Sequence, residues 1–251
     1  MIKLFVLDLD GCLTTPFHSP DWEKITKIRE LNQQSREDLS IPPVTICTGR
    51  PYPYAEAVAQ WLDVRYPVIF ESAGMYDWRE NRFRTALNDD SDEELASINK
   101  LKQWIRSKIL PLYPGAIPEF SKMMDAGVVS PNKHDIAEIR EEIQNHINQH
   151  YPDLEMHYTD ISVNTLIRGN NKRAGLNLLQ EETGITLEEM AYIGDSGGDV
   201  VALQVVGRPF APANAKQETK AVAEVLSEES THAVLVAYRR LIEENRNHGS
   251  R

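Results

Sequence analysis

Two short apolar runs in this chain end in aspartate: LFVLDLD, Leu4 to Asp10, and MAYIGD, Met190 to Asp195. An unpaired ionised carboxylate is costly to bury, so each run has to deliver its acids to a strand end, where a turn, a cation or a ligand meets them. Parallel strands bring such ends to one sheet edge, the edge at which open α/β proteins place their ligands. That pattern predicts an α/β core with a largely parallel, Rossmann-like sheet.

The rest of the chain supplies the alternation such a sheet needs. Ile2 to Leu7 reads as a buried strand followed by a turn at Asp10 and Gly11, and Asp21 to Asp38 as a helix. Pro42 to Arg50 (PPVTICTGR) gives a second strand ending in polar residues, Ala55 to Leu62 a helix, and PVIFES, from Pro67, a third strand. From about Asn81 the rhythm changes. Leu95, Ile98, Leu101 and Ile105 share one helical face, as do Ile136, Ile139, Ile143 and Ile147. Strands are expected around Ile117 to Lys122, Gly127 to Val129, Glu155 to His157 and Ser162 to Leu166. The order helix, two strands, helix, two strands is that of an inserted α+β unit. The expected division is therefore a core of residues 1–84 and 168–251 and an insertion of residues 85–167.

After Arg168, Lys172 to Thr183 reads as a helix that Gly184 terminates, and Thr186 with Glu189 has capping-box spacing. A further helix is expected from near Gly198 and another over Gln217 to Leu226. The charged carboxyl-terminal tail reads as a solvated helix end that frays.

Composition narrows the partners. A formal charge of −11 offers no basic surplus to replace the counterions of nucleic acid, although a metal ion and a few cations can reverse the potential inside one pocket. No apolar run is long enough for a membrane span and no secretory signal opens the chain. Two cysteines, Cys12 and Cys47, make no disulfide framework and suit a reducing compartment, so the expected location is the cytoplasm. Both are expected to be small buried hydrophobes.

Asp8 and Asp10 point the same way from an extended segment, with Leu9 opposite, and Gly11 permits the turn that gathers them around one ligand. YIGDSGGDV adds Asp195 directly after a strand and Asp199 four residues later, entering a helix. Hard carboxylate oxygens gathered at one edge suit magnesium. Thr48, in CTGR, can offer its hydroxyl and backbone N–H to a phosphate, and Lys172 opens a helix where a cation meets an anion. Arg50 either contacts an ester or tethers its loop.

With DLDGCLT at Asp8 to Thr14, CTGR at Cys47 to Arg50, Lys172, and GDSGGD at Gly194 to Asp199, the sequence resembles the haloacid dehalogenase superfamily over nearly its whole length. The resemblance is to its magnesium-dependent phosphatases with an inserted α+β cap of the C2 type, in the C2B arrangement. Sucrose-phosphate, mannosylphosphoglycerate and phosphoglycolate phosphatases are such enzymes. The resemblance implies Asp8 as nucleophile and Asp10 as acid/base, with Thr48, Gly49 and Lys172 holding the phosphoryl group. It further implies a Mg2+ site drawn from Asp8, Asp10, Asp195 and Asp199, and hydrolysis of a small polar phosphomonoester, foremost a sugar phosphate. The cap would stand over the site. Arg50, Ser196, Asn214 and Lys122 are further candidates for substrate contact or loop support. The family commonly has threonine where this chain has Cys12, and asparagine where it has Gly198.

Phosphomannomutase-like enzymes share core and cap, so a sugar phosphomutase is an alternative; a non-catalytic phosphate-binding module is another. GDSGG also matches the nucleophile segment of chymotrypsin-like proteases at Ser196, but the α/β alternation does not suit two β-barrels and no histidine partner is identifiable. His134 and His157 form no metal-ligand cluster, and Met123 and Met124 read as ordinary packing.

Overall fold

The computed structural model describes residues 1–16, 18–86, 91–119, 121–159 and 161–249. The chain divides into two compact units, Met1–Ala86 with Asn171–Arg251, and Leu87–Asn170.

The first unit is built on a five-stranded parallel sheet: β1 (Leu4–Leu7), β2 (Val44–Ile46), β10 (Met190–Ile193), β11 (Arg208–Ala211) and β12 (Glu224–Val225). Their order is β12-β11-β10-β1-β2. β1 and β10 are buried throughout, and their side chains alternate between two apolar layers. Phe5, Leu7, Ala191 and Ile193 pack on one side with α1 (Trp22–Gln34) and α2 (Tyr52–Leu62). Leu4, Val6, Met190 and Tyr192 pack on the other with α5 (Lys172–Thr183) and α6 (Val200–Leu203). This strict period of two is what a strand covered on both faces requires. Register pairs Leu7 with Ile193, so Asp8 and the Gly194–Asp195 corner leave the sheet side by side.

Local sequence sets the helix ends. Asp21 caps α1 by accepting from the Lys24 amide, and Asn171 caps α5 by accepting from the Ala174 amide. Gly184 ends α5 at φ +69°, and Thr186 with Glu189 forms the capping box of a 3-10 turn before β10. α1 is shorter than expected: it stops at Gln34, and Asp38 instead accepts from the Ser40 amide in the following turn.

Two further expectations need correction. PVIFES does not join the parallel sheet as a full strand. β3 (Val68–Phe70) touches it through a single Cys47–Ile69 bridge and belongs to an antiparallel sheet with β4 (Gly74–Asp77) and β5 (Arg82–Thr85). Arg82 and Arg84 on β5 pair with Glu182 and Glu181 of α5, which anchors a hairpin whose β4 strand is mostly buried and whose β5 strand is exposed or half-buried. The helix expected over Gln217 to Leu226 is only α7 (Gln217–Lys220), because Glu224 and Val225 add an edge strand. The carboxyl-terminal tail is a solvated helix end, with Arg246, Asn247 and His248 exposed, but the helix it closes is largely buried. That helix is α8 (Ser230–Gly249), which buries Ala233, Val234, Ala237, Tyr238, Leu241 and Asn245 at helical spacing. Each fully buried large apolar side chain here contributes roughly 1.5–3 kcal/mol. Asn245 exchanges hydrogen bonds with both the N–H and the C=O of Ile2, at 2.8 Å each.

The second unit carries α3 (Ser91–Trp104), extended by a π turn over Ile105–Ile109, and α4 (Lys133–His150). Its antiparallel sheet, β6-β7-β9-β8, is formed by β6 (Ile117–Pro118), β7 (Asp125–Val129), β8 (Leu154–Tyr158) and β9 (Ser162–Ile167). The isoleucine stripes of both helices pack on Ala126, Val128 and Val163. β6 is shorter than the strand expected over Ile117 to Lys122, a stretch that includes Phe120, outside the described residues; β7 begins two residues earlier than expected. Ser250 and Arg251, the end of the expected frayed tail, also lie outside them. Among the described residues no helix is long and apolar enough to cross a membrane.

Candidate active site

The carboxyl ends of β1 and β10 open onto a group of buried charges. Lys172, the first residue of α5, puts its ammonium 2.7 Å from Asp8 Oδ1 and 2.5 Å from Asp199 Oδ1. Tyr192 points into the α5 layer and donates its hydroxyl to the same Asp199 oxygen at 2.7 Å. The other Asp199 oxygen accepts from the amides of Asp195 and Ser196 and from Ser196 Oγ, at 3.2, 2.9 and 2.8 Å. Burial opposes ionisation of Asp199, but the Lys172 charge and these donors outweigh it and hold the carboxyl below its usual range. Burial likewise opposes the Lys172 ammonium, yet Asp199 and Asp8 keep its pKa well above the lysine range. Asp8 shifts the other way: burial, then the Asp199 charge, push its carboxyl well up despite Lys172.

Two glycines make this packing possible. At Gly194 a Cβ would fall 2.4 Å from Asp199 Cβ. Gly11, at φ +79°, leaves space for the Asp195 carboxylate: a Cβ there would lie 2.1 Å from Oδ2. Asp195 is half-buried, and among the described residues charges rather than hydrogen-bond donors act on its carboxylate. Burial first, and the Asp199 charge second, raise its carboxyl to about 6. Oxygens of Asp8 and Asp195 and the Sγ of Cys12 lie within 4.8 Å of one another, a group able to hold a divalent cation.

Asp10 turns towards Arg50, which it meets through Nε at 2.5 Å and Nη2 at 3.2 Å. Arg50 thus tethers this loop. Thr48 is buried and its Oγ1 accepts from the Arg50 amide at 3.1 Å. The expectation that the Thr48 N–H is open to a phosphate needs correction, since that N–H donates to the Ile69 carbonyl at 3.0 Å through the bridge to β3. Gly49 follows it without a positive φ. Asn214 supports the first loop: its Nδ2 donates to the Gly11 carbonyl at 2.8 Å, and its Oδ1 accepts from Ser230 N at the start of α8.

Lys122 lies elsewhere, in the inserted unit. Its buried ammonium meets Asp125 at 2.7 Å, Glu119 at 2.9 Å and Asn164 at 3.1 Å. Cys12 and Cys47 are free thiols buried in different apolar layers. Sequence reasoning missed one participant, Tyr192, while Cys12 is the small buried side chain it expected. The signal for Tyr192 was a hydroxyl inside an otherwise apolar strand, which has to find a partner when buried.

Comparison with known proteins agrees with this architecture. The family model for haloacid dehalogenase-like hydrolases matches residues 116–237. The crystal structure of Thermoplasma acidophilum 0175 superposes with a TM-score of 0.74 at 21% identity, covering 96% of this chain and 98% of that one. The chain has the haloacid dehalogenase-like hydrolase fold. A sucrose-phosphatase from Synechocystis, solved with sucrose and phosphate, superposes with a TM-score of 0.66 at 16% identity, covering 96% and 98% of the two chains. Among curated relatives, a phosphoglycolate phosphatase of Thermoplasma acidophilum is 25% identical over 231 residues, 92% of this chain and 93% of its own. One from Methanococcoides burtonii is 26% identical over 218 residues, covering 87% and 86%. This hydrolase fold, with its aspartate cluster at the sheet edge, supports hydrolysis of a small phosphomonoester through a catalytic aspartate.

Proposed function

We propose that this chain is a magnesium-dependent phosphatase that transfers the phosphoryl group of a small polar phosphomonoester to Asp8 and then to water. The observation that carries the reading is the Asp8–Lys172–Asp199 triplet beside the half-buried carboxylate of Asp195. An oxygen-seeking dication fits there. Asp8 and Asp195 would hold it, Asp10, whose charge Asp195 senses, would stand next to them, and Asp199 would orient the loop. Bound magnesium supplies charge neutralisation for the anionic substrate.

The protein's own groups then divide the work. A carboxylate oxygen of Asp8 attacks phosphorus as the bond to the alcohol oxygen breaks, and Asp10 protonates that leaving oxygen. Water, deprotonated by Asp10, next attacks the phosphorus of the aspartyl-phosphate and frees Asp8. Two of the three Lys172 donors engage Asp8 and Asp199, leaving one for a phosphoryl oxygen, and the Thr48 hydroxyl supplies another.

For the alcohol we favour a sugar. The sucrose-phosphatase from Synechocystis, similar in fold over 96% of this chain, supports that choice. A second reading, phosphoglycolate, is favoured by the names of the curated relatives. The two free buried thiols suit a reducing, cytoplasmic setting.

The test is magnesium-dependent phosphate release from sugar phosphates, phosphoglycolate, nucleotides and phosphopeptides, ranked by kcat/KM, with Asp8→Asn as control. We expect sugar phosphates to lead and Asp8→Asn to be inactive. Preference for phosphoglycolate keeps the mechanism and changes the substrate; isomerisation without phosphate release assigns a mutase; binding without turnover assigns a non-catalytic module. Full turnover by Asp8→Asn, with deamidation excluded by mass spectrometry, refutes the covalent route.

A further inference from the structure

The metal-holding group is not made of oxygen alone. Its third member is the Sγ of Cys12, fully buried, with no hydrogen-bond partner among the described residues. Its neighbours are two carboxylates, one of them that of the half-buried Asp195. Around a tetrahedral ion with a ~2.3 Å metal–sulfur bond and ~2.1 Å metal–oxygen bonds, ligand atoms stand about 3.5 Å apart. The three ligand atoms all lie within 4.8 Å of one another, so closing onto one ion takes a side-chain movement of about 1 Å. Such a donor set is mixed in a chemically selective way. Magnesium takes hard oxygens and keeps its waters, and has little use for sulfur. Zinc and cadmium take thiolate and carboxylate together.

We propose that Cys12 gives this site a second class of ligand, thiophilic divalent cations, which bind Asp8, Asp195 and Cys12 Sγ and exclude magnesium. The S–H bond breaks as the sulfur–metal bond forms, the sulfur lone pair goes to the metal and the proton leaves to solvent; nothing is oxidised or reduced. Three protein ligands leave one coordination position to water. Because the captured ion also holds Asp8, zinc or cadmium would hold the nucleophile out of reaction. The binding stands on the geometry of the cluster and is independent of which phosphoester, if any, the chain hydrolyses.

The experiment titrates wild type, Cys12→Ser and Cys47→Ser with Cd2+ and follows thiolate-to-cadmium charge transfer in the ultraviolet, with calorimetry on the same samples. Wild type should develop a band that saturates at one equivalent and that excess Mg2+ suppresses. Cys47→Ser should keep that band, since Cys47 lies in the other apolar layer. Cys12→Ser should lose the band and bind at least tenfold more weakly. Wild-type binding without a charge-transfer band overturns the proposal, as does a band that survives Cys12→Ser, disappears in Cys47→Ser or ignores Mg2+. Should Cys12→Ser not fold, the cadmium-113 chemical shift of the wild-type complex decides: a value typical of sulfur coordination supports the site, and one typical of an all-oxygen site refutes it. No turnover is measured, so failure of the phosphatase reading leaves this outcome untouched.

Discussion

Replacing Lys172 by methionine removes the one cation that separates two buried carboxylates. The stem of the side chain is kept in length, so packing changes little and the loss is electrostatic. In the wild type the ammonium serves Asp8 at 2.7 Å and Asp199 at 2.5 Å, both shielded from solvent. Removing one partner of a buried ion pair costs about 3–5 kcal/mol, because the remaining charge is left without compensation. Two orphaned carboxylates do not double that figure, since the Asp8 carboxyl, already pushed up by burial, relieves its share by taking a proton. Asp199 keeps its Tyr192 and Ser196 donors and has to stay charged or give them up. Hydrogen exchange at the amides of β1 and β10 reads this sheet alone. Their protection should fall by about 100- to 4,000-fold, the equivalent of 3–5 kcal/mol at ~1.4 kcal/mol per decade. Adding Asp199→Asn to Lys172→Met removes one orphaned charge and should recover at least tenfold of that protection. A fall of less than tenfold in the single variant, or no recovery in the double, would refute the assignment of Lys172 as the charge that holds this sheet edge together.

Three further outcomes follow from the same geometry. Tyr192→Phe deletes a buried hydrogen bond to a charged oxygen and should cost about 1.5–3 kcal/mol in the same exchange measurement; a cost under about 0.5 kcal/mol would mean that Asp199 does not depend on it. Gly11→Ala places a Cβ 2.1 Å from Asp195 Oδ2 at a positive φ, and should weaken magnesium binding at least tenfold by calorimetry while the inserted unit keeps its exchange protection. Magnesium affinity should be flat above pH 6 and fall about tenfold per unit below it, because a proton then occupies the Asp195 oxygen that the cation needs; affinity unchanged between pH 7 and pH 5 would remove Asp195 from the site.

Strand and helix periods carried most of the architecture into plain view. LFVL and MAYI are continuous apolar runs, and α5 is bracketed by Asn171 and Gly184, so elements and ends could both be read. The isoleucine stripe of α4 was as clear. The β4–β5 hairpin was hidden because GMYDWRENRFRT has five charged residues among twelve and no continuous apolar run; it is held by arginines that reach across to α5, a tertiary cause without local signature. The apolar face of α8 went unread for another reason. Its three arginines and two glutamates all follow Tyr238, and that charged end draws the eye from an apolar stripe that begins at Ala233. At the site, the positions of the aspartates could be inferred from strand ends, but their pairing could not. Which oxygen Lys172 takes, and that Tyr192 shares it, depends on α5 and β10 facing each other over one layer.

The order of strands in the parallel sheet has a consequence for how the chain is made. β1 sits between β2 and β10, and its register with β10 joins segments about 190 residues apart. At about 5–20 residues per second, a ribosome needs roughly 10–40 s to supply that partner. Throughout that interval one edge of the most apolar strand in the core has only its backbone to offer a neighbour, and Asn245, which closes over Ile2, arrives later still. The inserted unit, whose contacts are confined to a nearby stretch of chain, is complete before β10 emerges. Nascent chains halted before Met190 should therefore present β1 to chaperones, and those halted after α8 should not.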